Sequence, residues 1–466
     1  MKHFLFIATA LFFTAYSFSQ NEDSIMIKKI SDEILTNGKA YDNLRDLTKK
    51  IGARLSGSPQ MVKAEQWGMQ VMKQSGADKA WLQQCMVPHW VRGGKEKAEI
   101  HYNSSGSGAR NLLLSKKQLD VLALGNSEGT KNKDLTAKVF LVNSFDELEK
   151  KKDSVKGKIV FYNYKFNPTY VSTFRSYGEA SQYRGAVPSR AAKYGAVGVV
   201  VRSMSHSVDN YPHTGSTRYD SAYAKIPALA VGLRDADWLS DQLQQNRIIS
   251  LTIKTNAHFL PDTIGNNVIG ELVGSEFPDE IITIGGHLDS WDPGEGAHDD
   301  GAGCVQTIEI LRAFKALGYK PKRTIRFVLF ANEENGLRGG NKYAEEAKTK
   351  NEKHIFALES DAGGFTPRAF GFAMSEEQFQ RVLLWKPLIA PYGCSEFSRG
   401  GGGADIGPLR RVFSTTALAG LSPDSQRYFD FHHARNDVFE AVNKRELELG
   451  AVNMAALIYL IDKYGL

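Results

Sequence analysis

The chain has 466 residues, 42% of them hydrophobic and 24% charged, with a formal net charge of +6. These proportions belong to ordinary folded proteins, leave room for two or three domains at roughly 150 residues each, and exclude a disordered or collagen-like chain. The positive excess is small for this length and forms no dense Lys/Arg block, which argues against nucleic-acid binding.

Met1-Lys2-His3 is a short basic start, residues 4–16 are almost wholly apolar, and Ser17-Phe18-Ser19-Gln20 follows. This is the layout of a secretory signal peptide, expected over residues 1–19. The apolar run falls short of the about 20 residues that a membrane span needs. No cysteine follows it to carry a lipid, and no later stretch is apolar enough to cross a bilayer. The expected location is secreted or periplasmic. Cys85, Cys304 and Cys394 are too few and too widely spaced for a disulfide framework or a zinc finger. They read as buried thiols, with one bridge left open.

Residues 23–50 are expected to be helical, with apolar residues at helical spacing across 41–47. Gly57 and Pro59 punctuate the chain before a second amphipathic stretch at 62–72. A weakly alternating strand is expected at 81–87 and a Ser/Gly turn at 104–108. Strands at 138–142 and 158–162, a helix at 190–194, a buried strand at 197–201, a polar loop at 211–223 and an apolar run at 226–231 follow. Residues 125–256 thus look like a β-rich unit inserted between 20–124 and 257–466. Beyond Asn267, strands at 281–284, 324–330 and 355–358 alternate with helices at 301–317, 340–348 and 376–389, and a helix at 444–464 closes the chain. The expected class is α/β, a mainly parallel sheet with helices on both faces. Such sheets bind ligands at the carboxyl ends of their strands.

The polar residues collect at those ends. The first strand runs into His287-Leu288-Asp289, the second into Glu333-Glu334 and the third into Asp361. His298-Asp299-Asp300 lies between the first two, and His432-His433 comes near the end. Each fragment alone is weak: Asp299-Asp300-Gly301 makes a good helix start, and a histidine pair is more often packing than ligation. Jointly they place carboxylates and imidazoles where burial is costly without a compensating cation. Imidazole and carboxylate donors without cysteine suit zinc. Two ions about 3.5–4 Å apart can share a water, lower its pKa and polarise a carbonyl, which is hydrolytic chemistry. Glu333-Glu334 lets one carboxylate face a metal and its neighbour face the water.

This constellation resembles the zinc aminopeptidase and glutamate carboxypeptidase family of co-catalytic metallopeptidases. Beyond the metal segments, the likeness runs through Ile51-Gly52-Ala53-Arg54-Leu55-Ser56-Gly57-Ser58, Val87-Pro88-His89-Trp90-Val91-Arg92-Gly93, Pro212-His213-Thr214-Gly215 and Gly401-Gly402-Gly403-Ala404-Asp405-Ile406, nearly the whole mature chain. Ala53 departs from it, at a position where proline is expected. The resemblance implies one zinc on His287, Asp299 and Asp361, a second on Glu334, His433 and the shared Asp299, and Glu333 as general base. It implies that Asp289 orients His287, that His433 rather than His432 ligates because it stands four residues before Asp437, and that the Asp299–Asp300 peptide is cis. The inserted unit resembles a protease-associated domain. Short peptides or dipeptides are the implied substrates, with no nucleic acid and no membrane span, and a homodimer is left open. The competing readings are a non-catalytic receptor-like relative, which would lack ligands, and a glutaminyl cyclase-like relative, which works with one zinc.

Overall fold

The computed structural model describes residues 21–105 and 112–466. The expected signal peptide lies outside the described residues, as does most of the turn expected at 104–108. Eight strands form the large sheet: β1 Lys79–Val91, β2 His258–Leu272, β3 Phe277–His287, β4 Arg323–Phe330, β5 Lys353–Glu359, β6 Pro367–Ala373, β7 Glu396–Arg399 and β8 Ala417–Pro423. Their order is β1-β2-β4-β3-β5-β8-β6-β7. The centre, β4-β3-β5-β8, is parallel. β1 and β2 join antiparallel on one side, and β6 joins antiparallel to β8 on the other.

The parallel centre is a run of apolar residues because both of its faces are covered. Along β4, Ile325, Phe327 and Leu329 pack in one cluster with helices Pro59–Gln74, Ala302–Ala316 and Lys444–Tyr464. The alternate Val328 and Phe330 pack with helices Arg338–Thr349 and Gly407–Val412 on the opposite face. Local chemistry sets where the helices begin. Ser58 Oγ accepts the Met61 N–H at 3.1 Å, with Pro59 in the first helical turn. Asn443 caps the last helix through the N–H groups of Arg445 and Glu446.

The length of β2 is not anticipated, because Pro261, Gly265, Asn266 and Asn267 interrupt any strand pattern. The strand forms because β1 pairs along it from Lys79↔Glu271 to Val91↔His258. The polar side chains are satisfied there: Asn266 donates to Glu65 and Asn267 to Gln83, each at 2.8 Å.

Between β1 and β2 the chain builds two smaller sheets. One orders Leu112–Gln118, Lys97–Ser105, Ile248–Lys254 and Leu135–Ala137; the other orders Val121–Ala123, Ala228–Val231, Gly198–Arg202, Ile159–Tyr162 and Val139–Val142. Strands from Lys97 onward therefore share sheets with strands beyond residue 125. The apolar core of this unit, with Phe145, Tyr162 and Tyr183, continues into Phe365, Tyr428, Phe429 and Phe431 of the main body. That shared core presses the unit against the segment leading to His433.

Candidate metal centre

β3 ends at His287, the turn after β4 carries Glu333 and Glu334, and the turn after β5 carries Asp361. Neighbouring parallel strands thus deliver three groups to one rim of the sheet. Asp299 lies in the short turn Ala297–Gly301 ahead of helix Ala302–Ala316, and the Asp299–Asp300 bond is cis. His433 follows the short helix Tyr428–Phe431 beyond β8 and adopts a left-handed φ of 63°.

Asp299 sits between two imidazoles. Its Oδ1 lies 3.3 Å from His287 Nε2 and its Oδ2 lies 3.2 Å from His433 Nε2. His287 Nε2 is also 3.5 Å from Asp361 Oδ1, and His433 Nε2 is 3.1 Å from Glu334 Oε2. The five expected ligands come together as two groups that meet at Asp299. Among the described residues, only imidazoles pair with Asp299, Glu334 and Asp361. Asp299 Oδ2 and Glu334 Oε1 are buried without a hydrogen-bond partner. Carboxylate oxygens in that state call for a cation, and the nitrogen and oxygen donors on hand fit zinc.

The ring electrostatics point the same way. Burial disfavours charge on His433, but Glu334 and Asp299 outweigh it and push the ring up to about 10. His287, opposed by burial in the same manner, is raised by Asp299 and Asp361. The cleft therefore favours positive charge at both positions.

His432 stacks on His433 with ring centres 3.5 Å apart, and its Nε2 is 3.6 Å from Asp299 Oδ2. Asp299, His432 and His433 are close enough to hold one ion between them. Two contacts separate the histidines. Only His433 reaches Glu334, and its Nδ1 donates to the Thr214 carbonyl at 3.2 Å, which leaves Nε2 free to bind.

Glu333 lies beside these groups and, among the described residues, has no charged partner. Burial pushes its carboxyl well above the usual range, His287 opposes that rise, and the negative Asp361, Glu334 and Asp289 add to it. Asp289 meets His287 through its backbone: the imidazole Nδ1 donates to the Asp289 carbonyl at 2.9 Å, whereas the carboxylate Oδ1 is 3.8 Å away. The Asp289 carboxylate instead accepts the N–H groups of Glu333 and Glu334 at 3.0 and 3.4 Å and the Ser56 hydroxyl at 3.2 Å. Arg54, fully buried, donates to the carbonyls of Leu288, Glu295 and Gly296. The Ile51–Ser58 motif is thereby tied to the loop between His287 and Asp299.

A pocket of about 230 Å³ opens beside Glu333, Glu334 and Asp361, a volume suited to a short segment of peptide. Phe174, Tyr177, Arg184 and Ser216 of the inserted unit form one wall, and Tyr428, Phe429 and His432 form another. Sequence reasoning did not single out Arg184 and Ser216 of the inserted unit or Tyr428 of the main body, because nothing in their local pattern marks them as pocket residues.

Residues 267–458 match the profile of peptidase family M28. The chain is 33% identical to human carboxypeptidase Q over 425 residues, covering 91% of this chain and 85% of that protein. A crystal structure of a peptidase M28 precursor from Shewanella amazonensis superposes with a TM-score of 0.88 at 30% identity, covering 95% of this chain and 97% of the other. A zinc aminopeptidase from Bacillus subtilis shares the fold with a TM-score of 0.61 at 20% identity, covering 90% and 94% of the two chains.

Proposed function

The chain belongs to peptidase family M28, and from that premise we propose that it is an exported two-zinc exopeptidase of short peptides. The observation that carries the proposal is Asp299, whose two oxygens face two different imidazoles at 3.3 and 3.2 Å. In this reading His287, Asp361 and Asp299 hold one zinc, and Glu334, His433 and Asp299 hold the other. Zinc, when bound, supplies the charge that polarises the scissile carbonyl and acidifies the attacking water.

The remaining work falls to the chain's own side chains. Glu333, a raised carboxyl without a charged partner among the described residues, takes the water's proton and passes it to the leaving amine. Asp289 holds the Glu333-Glu334 turn through two N–H groups, so the base and the ligand keep a fixed relation. His432 lines the pocket. The inserted unit, read as protease-associated-like, closes the cleft on one side with Phe174, Tyr177 and Arg184.

Arg184 favours substrates with an unblocked carboxyl end. Among the described residues no carboxylate pairs with its guanidinium, and its Nε is buried without a partner. Its other nitrogens donate to the Tyr177 hydroxyl at 2.5 Å and, weakly, to the Thr214 carbonyl at 3.5 Å. A guanidinium in that state matches the planar fork of a carboxylate.

Export rests on the basic and apolar start of the sequence. Among the described residues no helix is long and apolar enough to cross a membrane. The test is metal analysis of the purified chain combined with a dipeptide library. About two zinc ions per chain and hydrolysis abolished by a chelator are expected. One zinc, or no hydrolysis with both sites filled, would refute the reading.

A further inference from the structure

The two halves of the metal centre are not held alike. His287 is fixed wholly by the main body: its Nδ1 donates to the Asp289 carbonyl at 2.9 Å, and its backbone N–H donates to Asp300 Oδ2 at 3.0 Å. Glu334, whose N–H the main-body Asp289 also accepts at 3.4 Å, and His433 are held in addition by Thr214 and Ser216 of the inserted unit. The Thr214 N–H donates to the His433 carbonyl at 3.0 Å, and the Thr214 carbonyl accepts the His433 Nδ1–H at 3.2 Å. One residue thus fixes both the backbone and the ring of the histidine. Ser216 Oγ donates to the Glu334 carbonyl at 2.8 Å.

Gly215, between them, has φ 124°, and a Cβ there would stand 2.5 Å from Arg184 Cζ and 2.6 Å from His433 Nδ1. Glycine at this position is what allows the strap to lie against the ring. The strap is itself braced. The Thr214 hydroxyl donates to the Ala123 carbonyl at 2.8 Å, and the Gly125 N–H donates to the Gly215 carbonyl at 3.0 Å. Asn126 and Asn335 add a contact to the residue after Glu334, the Asn335 amide donating to Asn126 Oδ1 at 3.2 Å.

We propose that Thr214-Gly215-Ser216 is a built part of the Glu334–His433 metal site, so that the inserted unit sets the affinity of one zinc and not of the other. The inference rests on the two-zinc reading above. A carbonyl that accepts the far ring N–H fixes the tautomer and the aim of a ligating imidazole, and loss of such an outer contact costs about 10–100-fold in metal affinity. The Ser216 bond does the equivalent for the turn that carries Glu334.

The experiment is a zinc titration against a chromophoric chelator on the full chain, with wild type, Ser216→Ala, Ser216→Thr and Gly215→Ala compared. Wild type should show two zinc ions. Ser216→Ala and Gly215→Ala should retain one zinc at wild-type affinity and bind the second about 10–100-fold more weakly. Ser216→Thr, which keeps the hydroxyl, should recover the second site. Should Gly215→Ala fail to fold, Ser216→Ala, a half-buried loss of one hydroxyl, carries the comparison. Unchanged affinities, or equal weakening of both ions, would overturn the strap while leaving a two-zinc peptidase standing. A wild-type chain that takes only one zinc would overturn both.

Discussion

Asp437 receives the backbone N–H groups of His298 and Asp299 on its two oxygens, at 2.7 and 3.1 Å. The acid four residues beyond His433 therefore holds the turn that carries Asp299, the proposed shared ligand, and not the histidine whose position it marks in the sequence. Asp437→Asn would place an amide N–H against one of those donors. Because Asp299 serves both metals in the two-zinc reading, this variant is expected to weaken both by about 10–100-fold. Dialysis against a chelator, followed by metal analysis, reads the outcome. Full retention of two zinc ions would show that the backbone of the turn holds itself.

Glu333→Gln should keep both metals and lose about 10²–10⁴-fold in kcat. The side chain makes no ion pair among the described residues, so its removal leaves both ligand groups intact. Near-normal turnover with normal zinc content would remove Glu333 from the role of base.

The adjacent histidines should separate by metal content. His433→Ala is expected to lose the zinc shared with Glu334, and His432→Ala to keep both ions and alter KM. The contact of His433 with Glu334 at 3.1 Å, which His432 lacks, sets the expectation. Zinc loss in His432→Ala, matching that of His433→Ala, would reassign the ligand.

Away from the site, Glu352 accepts from Arg326 Nη1 and Nη2 at 2.8 and 3.2 Å and from His354 Nε2 at 2.9 Å. Burial disfavours its charge, but His354 and Arg326 prevail and hold the carboxyl down to about 2, below its ordinary value of 4.5. A depressed carboxylate contributes stability that is fully present above the ordinary value and is lost as pH falls towards the folded one. Glu352→Gln should therefore cost about 1.5–3 kcal/mol at pH 7. The gap to wild type should narrow between about pH 4.5 and 2. Denaturant midpoints across that range check it; a gap independent of pH would mean that the ion pair is not its source.

Much of the centre was legible because His287, Glu334 and Asp361 follow strands and Asp299 precedes a helix, and buried carboxylates are costly without a compensating cation. That topology brings polar residues to one rim, whereas the choice of His433 over His432 and the division of the five residues between two zincs came from the family resemblance. What escaped was contributed by chain distant in sequence. Ser216 meets Glu334 and Arg184 lines the pocket only because the inserted unit folds back over the rim. Similarly, β2 forms through pairing with β1 in spite of its Pro, Gly and Asn residues. The role of Asp289 was blurred for another reason. A His-x-Asp pair suggests carboxylate on imidazole, yet the backbone carbonyl of Asp289 takes the ring N–H and frees the carboxylate for the Glu333-Glu334 turn.

Arg184 offers the sharpest test of which peptide end the pocket recognises. Its guanidinium lines the pocket that Glu333 and Asp361 also line, with Nε buried and unpaired. The proposed reading has the carboxyl end of a bound peptide meet the wall that Arg184 shares with Tyr177, while its scissile carbonyl lies beside Glu333 and Asp361. Hydrogen bonds to a charged group contribute about 1.5–3 kcal/mol, and each 1.4 kcal/mol is tenfold. Wild type should therefore prefer a dipeptide acid to the same dipeptide amide by about 10–100-fold in kcat/KM. Arg184→Met keeps an unbranched side chain at the wall and removes the charge together with the hydrogen bond to the Tyr177 hydroxyl. It should lose that preference by weakening hydrolysis of the acid alone, with the amide cleaved at its wild-type rate. Equal loss on both substrates would make Arg184 a structural residue of the wall, and a preserved preference for the acid would place carboxylate recognition elsewhere in the cleft.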